Sequence, residues 1–258
     1  MADVSERVPA SPSYTIVTMP KASEKTTEQD WDEQARNWIA WARRPGFDSY
    51  WHYQEEFFQL VPEPGRATLD LGCGEGRVSR ELKARGHHVT GIDVSPTLIK
   101  AAREADPDGR YLIADGAGLP FGGEEFDLVI SYNVLMDVSD VAGTVREAAR
   151  VLAKGGRFVL AMTHPITNAG RPLDGSQDAP FVLDGSYFEH RRVAFDVEDE
   201  GMRIRFSGWD RPLTAYTRAL EGAGLLIEAI REPVSVTRDG TERSLPLHLW
   251  LRALRPPW

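Results

Sequence analysis

Between residues 67 and 162, short apolar runs take turns with stretches whose apolar positions recur every three or four residues. Residues 67–71, 88–92, 110–114, 126–131 and 157–162 read as buried strands. Residues 77–85 read as a helix closed by Gly86, and a second helix opens at Ser95-Pro96, a side-chain cap followed by a proline whose missing N–H costs nothing there. A third spans 140–152, with Val141, Val145, Ala148 and Leu152 on one side. Buried strands alternating with helices predict a parallel sheet covered on both faces.

The rhythm breaks after Met162. Residues 163–184 read as loop, punctuated by Pro165, Pro172 and Pro180. Residues 190–197 and 202–206 then alternate apolar and polar positions about a turn near Glu200-Gly201, which predicts a β-hairpin setting Val193, Phe195 and Val197 against Met202, Ile204 and Phe206. Pro212 opens another helix, reaching about Glu221. Residues 225–230 and 245–254 read as two strands joined through the polar stretch 237–243 into an antiparallel pair. Upstream, two aromatic-rich helices are expected at 29–43 (Trp31, Ala35, Trp38, Trp41) and 50–60 (Trp51, Phe57, Phe58). They follow a polar, proline-bearing lead-in, 1–27. An insertion as long as 163–211 is uncommon as a mere connection. We expect it, with the helical cover 28–62, to close over a pocket in one domain, 28–258, with Tyr187, Phe188, Phe195, Phe206, Trp209, Trp38 and Trp41 as aromatic walls.

Charge narrows the partners. With 30 Lys and Arg against 39 Asp and Glu, the formal net charge is −9, which disfavours phosphate backbones as ligands. The one cysteine, Cys73, can form neither an internal disulfide nor a cysteine-based metal site. No metal is expected, no apolar run is long enough for a membrane span, and a reducing cytoplasmic setting fits.

The strongest chemical signal is Leu69-Asp70-Leu71-Gly72-Cys73-Gly74-Glu75-Gly76-Arg77, between a strand and a helix. Glycines there allow a tight turn and close approach of a ligand to the backbone. A dinucleotide fingerprint would place its third glycine where Arg77 stands, and a pyrophosphate would be repelled by Asp70 and Glu75. The carboxylates suit a cationic ligand such as S-adenosylmethionine (SAM), which carries a sulfonium and an ammonium. Asp93 follows the second strand at a distance that also fits a dinucleotide site, and Asp115-Gly116 follows the third; each alone reads equally well as a cap or turn residue. Together they line the crevice at the carboxyl ends of successive strands, where open α/β sheets bind ligands.

These residues resemble the class I SAM-dependent methyltransferase family. Asp70 stands two places before Gly72-Cys73-Gly74-Glu75-Gly76, as the family's acid stands before its glycine motif. Asp93 resembles the ribose-hydroxyl acceptor, and Asp115 the contact to the adenine amino group. Leu119-Pro120-Phe121 with Phe126-Asp127-Leu128-Val129, and Arg150-Val151-Leu152 with Gly155-Gly156, match the runs into its fourth and fifth strands. The resemblance covers about 31–254. It implies a Rossmann-like α/β fold: a seven-stranded, mostly parallel sheet with helices on both faces, an antiparallel C-terminal strand pair and an inserted cover with a β-hairpin. It implies SAM as cofactor, held by Trp38, Asp70, Gly72, Cys73, Gly74, Gly76, Arg77, Asp93, Val94, Asp115, Gly116, Tyr132 and Asn133. Trp38, in the pattern Asp32-x-x-Ala35-x-x-Trp38, would approach the methionine end.

Because a sulfonium methyl is already electrophilic, the protein need only align an acceptor, exclude water and, for a hydroxyl or ammonium acceptor, remove a proton. Tyr132, Asn133 and Asp137 follow the fourth strand and His164 the fifth. His164 is the best-placed candidate base and Tyr132 the second catalytic candidate, whereas His87 and His88 are explained by a helix end. The expected activity is methylation of a small molecule, in secondary metabolism by resemblance. A peptide or protein methyltransferase would need an open groove; an NAD-dependent oxidoreductase and a non-catalytic SAM-binding module remain rivals. Oligomeric state stays open.

Overall fold

The computed structural model describes residues 26–173, 179–183, 185–199, 201–235 and 242–258. Of the expected features, the lead-in up to residue 25, Glu200 of the hairpin turn and 237–241 of the polar connection lie outside the described residues.

Helix α1 (Thr27–Ala42) starts from Thr26, whose side chain accepts from the Gln29 backbone N–H while the Gln29 side chain accepts from the Thr26 N–H, a reciprocal cap. α2 (Ser49–Phe58) starts from Asp48, which accepts from the Tyr50 N–H. The alternating core follows: β1 (Thr68–Leu71), α3 (Arg77–Ala84), β2 (Val89–Asp93), α4 (Pro96–Ala105), β3 (Arg110–Ile113), β4 (Phe126–Tyr132), α5 (Val141–Val151) and β5 (Leu152–Thr163). Ser95 caps α4 at Leu98 N–H (3.2 Å), with Pro96 at the first turn. A 3-10 turn at Thr167–Ala169 leads to the ribbon β6 (Gly170–Pro172) and β7 (Phe181–Leu183), and then to the hairpin β8 (Arg191–Asp199) and β9 (Met202–Asp210). The chain ends with α6 (Leu213–Gly222), β10 (Leu226–Arg231) and β11 (His248–Leu254).

Seven strands form one sheet in the order β10-β11-β5-β4-β1-β2-β3. β1 to β5 are parallel, and β11 runs antiparallel between β5 and β10. Period-two alternation sends Val129, Phe158, Leu160, Leu249 and Leu251 to one face, where Val145, Ala148, Tyr216 and Leu220 of α5 and α6 cover them. It sends Leu128, Ile130, Val159, Ala161 and Trp250 to the other, under Tyr50, Tyr53 and Phe57 of α2 and Val78 and Leu82 of α3. α2 is therefore a core layer as well as part of the expected cover: its aromatic stripe is too apolar to leave the sheet.

The segment expected as loop contains the β6–β7 ribbon, and β5 begins at Leu152 rather than at residue 157 because Leu152 already pairs with Phe126 before a register shift. The hairpin is longer than its apolar alternation suggested, with Val197 opposite Ile204 and Phe195 opposite Phe206 as expected. Its apolar face packs on α1: Trp41, Phe47, Val197 and Ile204 are buried together, with Trp38, Phe195, Met202 and Phe206 against them. A polar seam reinforces this packing. Asp30 takes the Arg192 guanidinium (2.5 Å) and the Ser207 hydroxyl (3.1 Å). The Trp209 N–H, donating to the Met136 carbonyl (2.8 Å), ties the hairpin to the segment after β4. Gly208 permits that approach, because a Cβ there would lie 2.7 Å from Asp137 Oδ1.

Candidate functional site

A cavity of about 1630 Å³ runs from the carboxyl ends of β1 to β5 to the inner side of α1 and the hairpin. A single ligand commonly fills roughly 300–1,000 Å³, so this volume accommodates two reactants.

The turn after β1 forms the floor of its first half. Gly72, Gly74 and Gly76 all have positive φ (+76°, +56°, +85°), and the Gly72 and Cys73 N–H groups both donate to the Ile92 carbonyl (2.8 Å). A Cβ on Gly72 would collide with the Val134 methyls, and one on Gly74 would lie 3.4 Å from Trp38 Nε1, so the indole lies close over this turn. Asp93 binds the same turn: its Oδ2 accepts from the Gly74 N–H and its Oδ1 from the Ser95 N–H, both at 2.9 Å. Burial pushes its carboxyl up to about 6 against those two donors. Asp70 is 1% exposed and accepts from Ser79 Oγ at 2.5 Å; burial, with Asp93 adding to it, lifts it to about 7.

Around the rim, Val94, Leu98, Ala114, Asp115 and Gly116 line the cavity. Asp115 is exposed, with Oδ1 accepting from the Ala117 N–H (2.9 Å). Beside it Ile113, at the end of β3, is 53% exposed and lines the cavity, an apolar surface suited to a flat ring. Nothing in the strand pattern marked Ile113 beyond its place next to Ala114-Asp115. Asn133, immediately after β4, is a non-glycine residue with positive φ (+56°), and its N–H donates to the Ala161 carbonyl. Its Oδ1 is buried on the cavity wall without a partner among the described residues, an acceptor waiting for a donor.

Several residues expected in the site are engaged elsewhere. Glu75 is 1% exposed and its carboxylate is taken by Arg43 (2.8 Å) and Arg80 (2.9 and 3.0 Å), so it offers no free charge to a ligand. Arg77 reaches the cavity edge but is spent on Asp48 (2.6 Å) and on the faces of Tyr50 and Trp38, fastening α3 to the N-terminal helices. The Cys73 thiol packs among Ile99, Ala102 and Tyr111, and burial drives its pKa up, leaving only its backbone for the cavity. The Tyr132 ring stands edge-on to Tyr50 and Phe57, and burial raises its phenol pKa; it packs, and is poorly suited to moving a proton.

His164, the expected base, is also engaged elsewhere. Its Nδ1 accepts from the Ile166 N–H (3.1 Å), its Nε2 meets Glu232 (3.0 Å), and it is absent from the cavity lining. With both nitrogens engaged, no lone pair remains for a substrate proton. Replacing His164 with alanine is expected to lower unfolding stability by about 1 kcal/mol, the net worth of a part-buried hydrogen bond, and to leave cofactor affinity within about twofold; thermal unfolding and calorimetry check both. Of the expected aromatic walls, Trp38, Trp41, Phe195, Phe206 and Trp209 line the cavity. Tyr187 instead accepts from the Leu213 N–H at the start of α6, and Phe188 is 74% exposed.

A histidine does stand in the cavity wall, and it is His248. Because β11 is antiparallel, its first residue pairs with Thr163, the last of β5, and so joins the crevice at the carboxyl ends of the parallel strands. His248 is 6% exposed, and burial lowers it to about 4 against the pull of the Met162 backbone carbonyl beside its ring. Tyr53 of α2 lies beside it, ring centroids 5.1 Å apart. Asp137, which followed β4 in the sequence, also lines the cavity, and burial holds its carboxyl well above the usual range despite Arg211 nearby.

Residues 69–160 match the family model of the methyltransferase domain. A demethylmenaquinone methyltransferase of Tropheryma whipplei is 36% identical over 105 residues, 39% of this chain and 44% of that protein. A 2-methyl-6-phytyl-1,4-hydroquinone methyltransferase of Synechocystis is 30% identical over 205 residues, 75% of this chain and 56% of that protein. The chain thus spans about half the length of the curated relatives it matches. The crystal structure of an S-adenosylmethionine-dependent methyltransferase from Mesorhizobium loti superimposes with a TM-score of 0.63 at 27% identity, covering 79% of this chain and 96% of that one.

Proposed function

Because this chain belongs to the class I SAM-dependent methyltransferase family, we propose that it transfers the methyl group of SAM to a small-molecule acceptor enclosed in the same cavity. The observation that carries this reading is the pair Asp70 and Asp93. Two buried carboxyls share one crevice, each lifted toward neutrality, and each would be relieved by a cationic ligand. An anionic pyrophosphate would aggravate the same strain.

The residues present fit the cofactor. Asp93 would accept the ribose hydroxyls, Asp115 and Ile113 would hold the adenine, and the Gly72–Gly74 backbone, Asn133 Oδ1 and Trp38 would hold the methionine end; Val94 and Gly116 complete the rim. When bound, SAM supplies a methyl group already activated by its sulfonium. The protein contributes alignment and exclusion of water, effects that together reach roughly 7–11 kcal/mol in well-oriented reactions. α1 and the hairpin, packed on each other through Trp41, Val197 and Ile204, provide the enclosure. That enclosure, the net charge of −9 and the quinone-type substrates in the relatives' names favour a small acceptor over nucleic acid or an extended peptide. In this reading 28–62 and 163–211 act together as the lid of one domain. Among the described residues, no helix is long and apolar enough to cross a membrane.

Calorimetry with SAM and with NAD, followed by a labelled-methyl screen of small molecules, tests this. SAM is expected to bind and NAD to give no heat; the reverse result would overturn the proposal.

A further inference from the structure

The acceptor half of the cavity carries a polar corner that the cofactor does not use. The Tyr53 hydroxyl is buried, and so is Arg243 Nε, from the segment just before β11; neither has a hydrogen-bond partner among the described residues. Both residues line the cavity with His248. Ser235, 1% exposed, brings its hydroxyl beside Tyr53, placed to donate to the phenol oxygen and so to leave the phenol's own proton unengaged, and its carbonyl accepts from the Arg243 N–H (2.8 Å). Buried polar atoms are nearly always satisfied, and an unmade bond costs about 1–3 kcal/mol. Two orphaned donors converging on one corner, in a protein with nine excess negative charges, are what an oxyanion would satisfy.

His248 adds the complementary function. A neutral imidazole has one N–H and one lone pair. The Met162 carbonyl beside the ring favours the proton on the nitrogen that faces it, which leaves the second nitrogen as the acceptor. The other ionisable groups felt at this corner are His52 and Glu56 of α2, neighbours of His248 and Tyr53 respectively. Aromatic and apolar side chains, Phe195, Phe206, Val193 and Met136, line the same cavity and would flank a ring.

We propose that Tyr53, Arg243 and His248 form a binding site for an acidic hydroxyl of the acceptor, of the phenol or enol class, with Arg243 and Tyr53 donating to the oxygen and His248 accepting its proton. On transfer, the oxygen lone pair forms the new C–O bond as the C–S bond breaks. The sulfur keeps that electron pair, and the proton passes through His248 to solvent, since burial leaves the imidazolium too acidic to retain it. The site rests on the methyltransferase reading but binds its oxygen independently of the donor.

The test uses the whole protein loaded with S-adenosylhomocysteine, and 4-nitrophenol, whose phenolate is coloured, as the probe. At a pH about one unit below its solution pKa, the bound probe is expected to show phenolate absorbance. Arg243→Gln is expected to weaken binding about tenfold or more, as for a lost charge-assisted bond, and to leave any bound probe as neutral phenol, with Tyr53→Phe weakening it less; His248→Gln is expected to keep the phenolate signal but slow methylation of the probe when SAM replaces S-adenosylhomocysteine. S-adenosylhomocysteine affinity, unchanged in all three, reports an intact fold. A probe that fails to bind the loaded protein, binds only as the neutral phenol, or binds equally well to Arg243→Gln would overturn the site. Failure of S-adenosylhomocysteine to bind while the phenolate is still captured would remove the donor reading and leave this corner standing.

Discussion

Gly74→Val is expected to abolish SAM binding, with a loss of at least about a hundredfold. Gly74 has φ +56°, a conformation that costs a β-branched residue of order 1–3 kcal/mol. The new Cβ would also stand 3.4 Å from Trp38 Nε1, and its two methyls would occupy the space through which a ligand reaches the turn's backbone. Steric exclusion adds to backbone strain, since Gly74 N–H can no longer hold its place on Asp93. Calorimetry with SAM measures the loss, and thermal unfolding separates it from misfolding. Wild-type affinity in a folded variant would remove the glycine turn from the site.

The second large effect is expected at Asp93. Alanine there removes the proposed ribose acceptor and strands the Gly74 and Ser95 N–H groups, each buried donor costing about 1–3 kcal/mol. SAM affinity is expected to fall about a hundredfold or more. The wild type should show a matching pH dependence. Asp93 is raised to about 6 and Asp70 to about 7 in the free protein, while the bound cation and hydroxyls favour both as carboxylates. Binding therefore releases protons. Affinity should be flat above about pH 8 and decline as pH falls through 7 and 6, by up to about tenfold per unit for each proton released. Titrations in buffers of different ionisation enthalpy would count those protons. A pH-independent affinity would show that neither carboxyl changes state.

The parallel sheet, the hairpin and the glycine turn were legible because they are local. Period-two and period-3.6 patterns, Ser95-Pro96 at a helix start and three closely spaced glycines need no long-range knowledge. What escaped the sequence was the identity of partners brought in from afar. Glu75 reads as a free acid until Arg43 and Arg80 fold onto it, and Arg77 as a ligand contact until Asp48 claims it. His164 stands after a parallel strand, the place to search for a base, yet the short turn to Ile166 and the approach of Glu232 consume its nitrogens. His248 was missed for the converse reason. A search of strand carboxyl ends passes over the first residue of an antiparallel strand, although reversal of direction delivers it to the same crevice.

The seam between α1 and the hairpin joins segments more than 150 positions apart in the chain, Asp30 meeting Arg192 across a separation of 162. In the proposed arrangement Trp38 stands over the donor half and Phe195 and Phe206 wall the acceptor half, and all three belong to that one apolar cluster. A substitution that loosens the seam, such as Asp30→Ala, is therefore expected to disturb the walls of both halves at once.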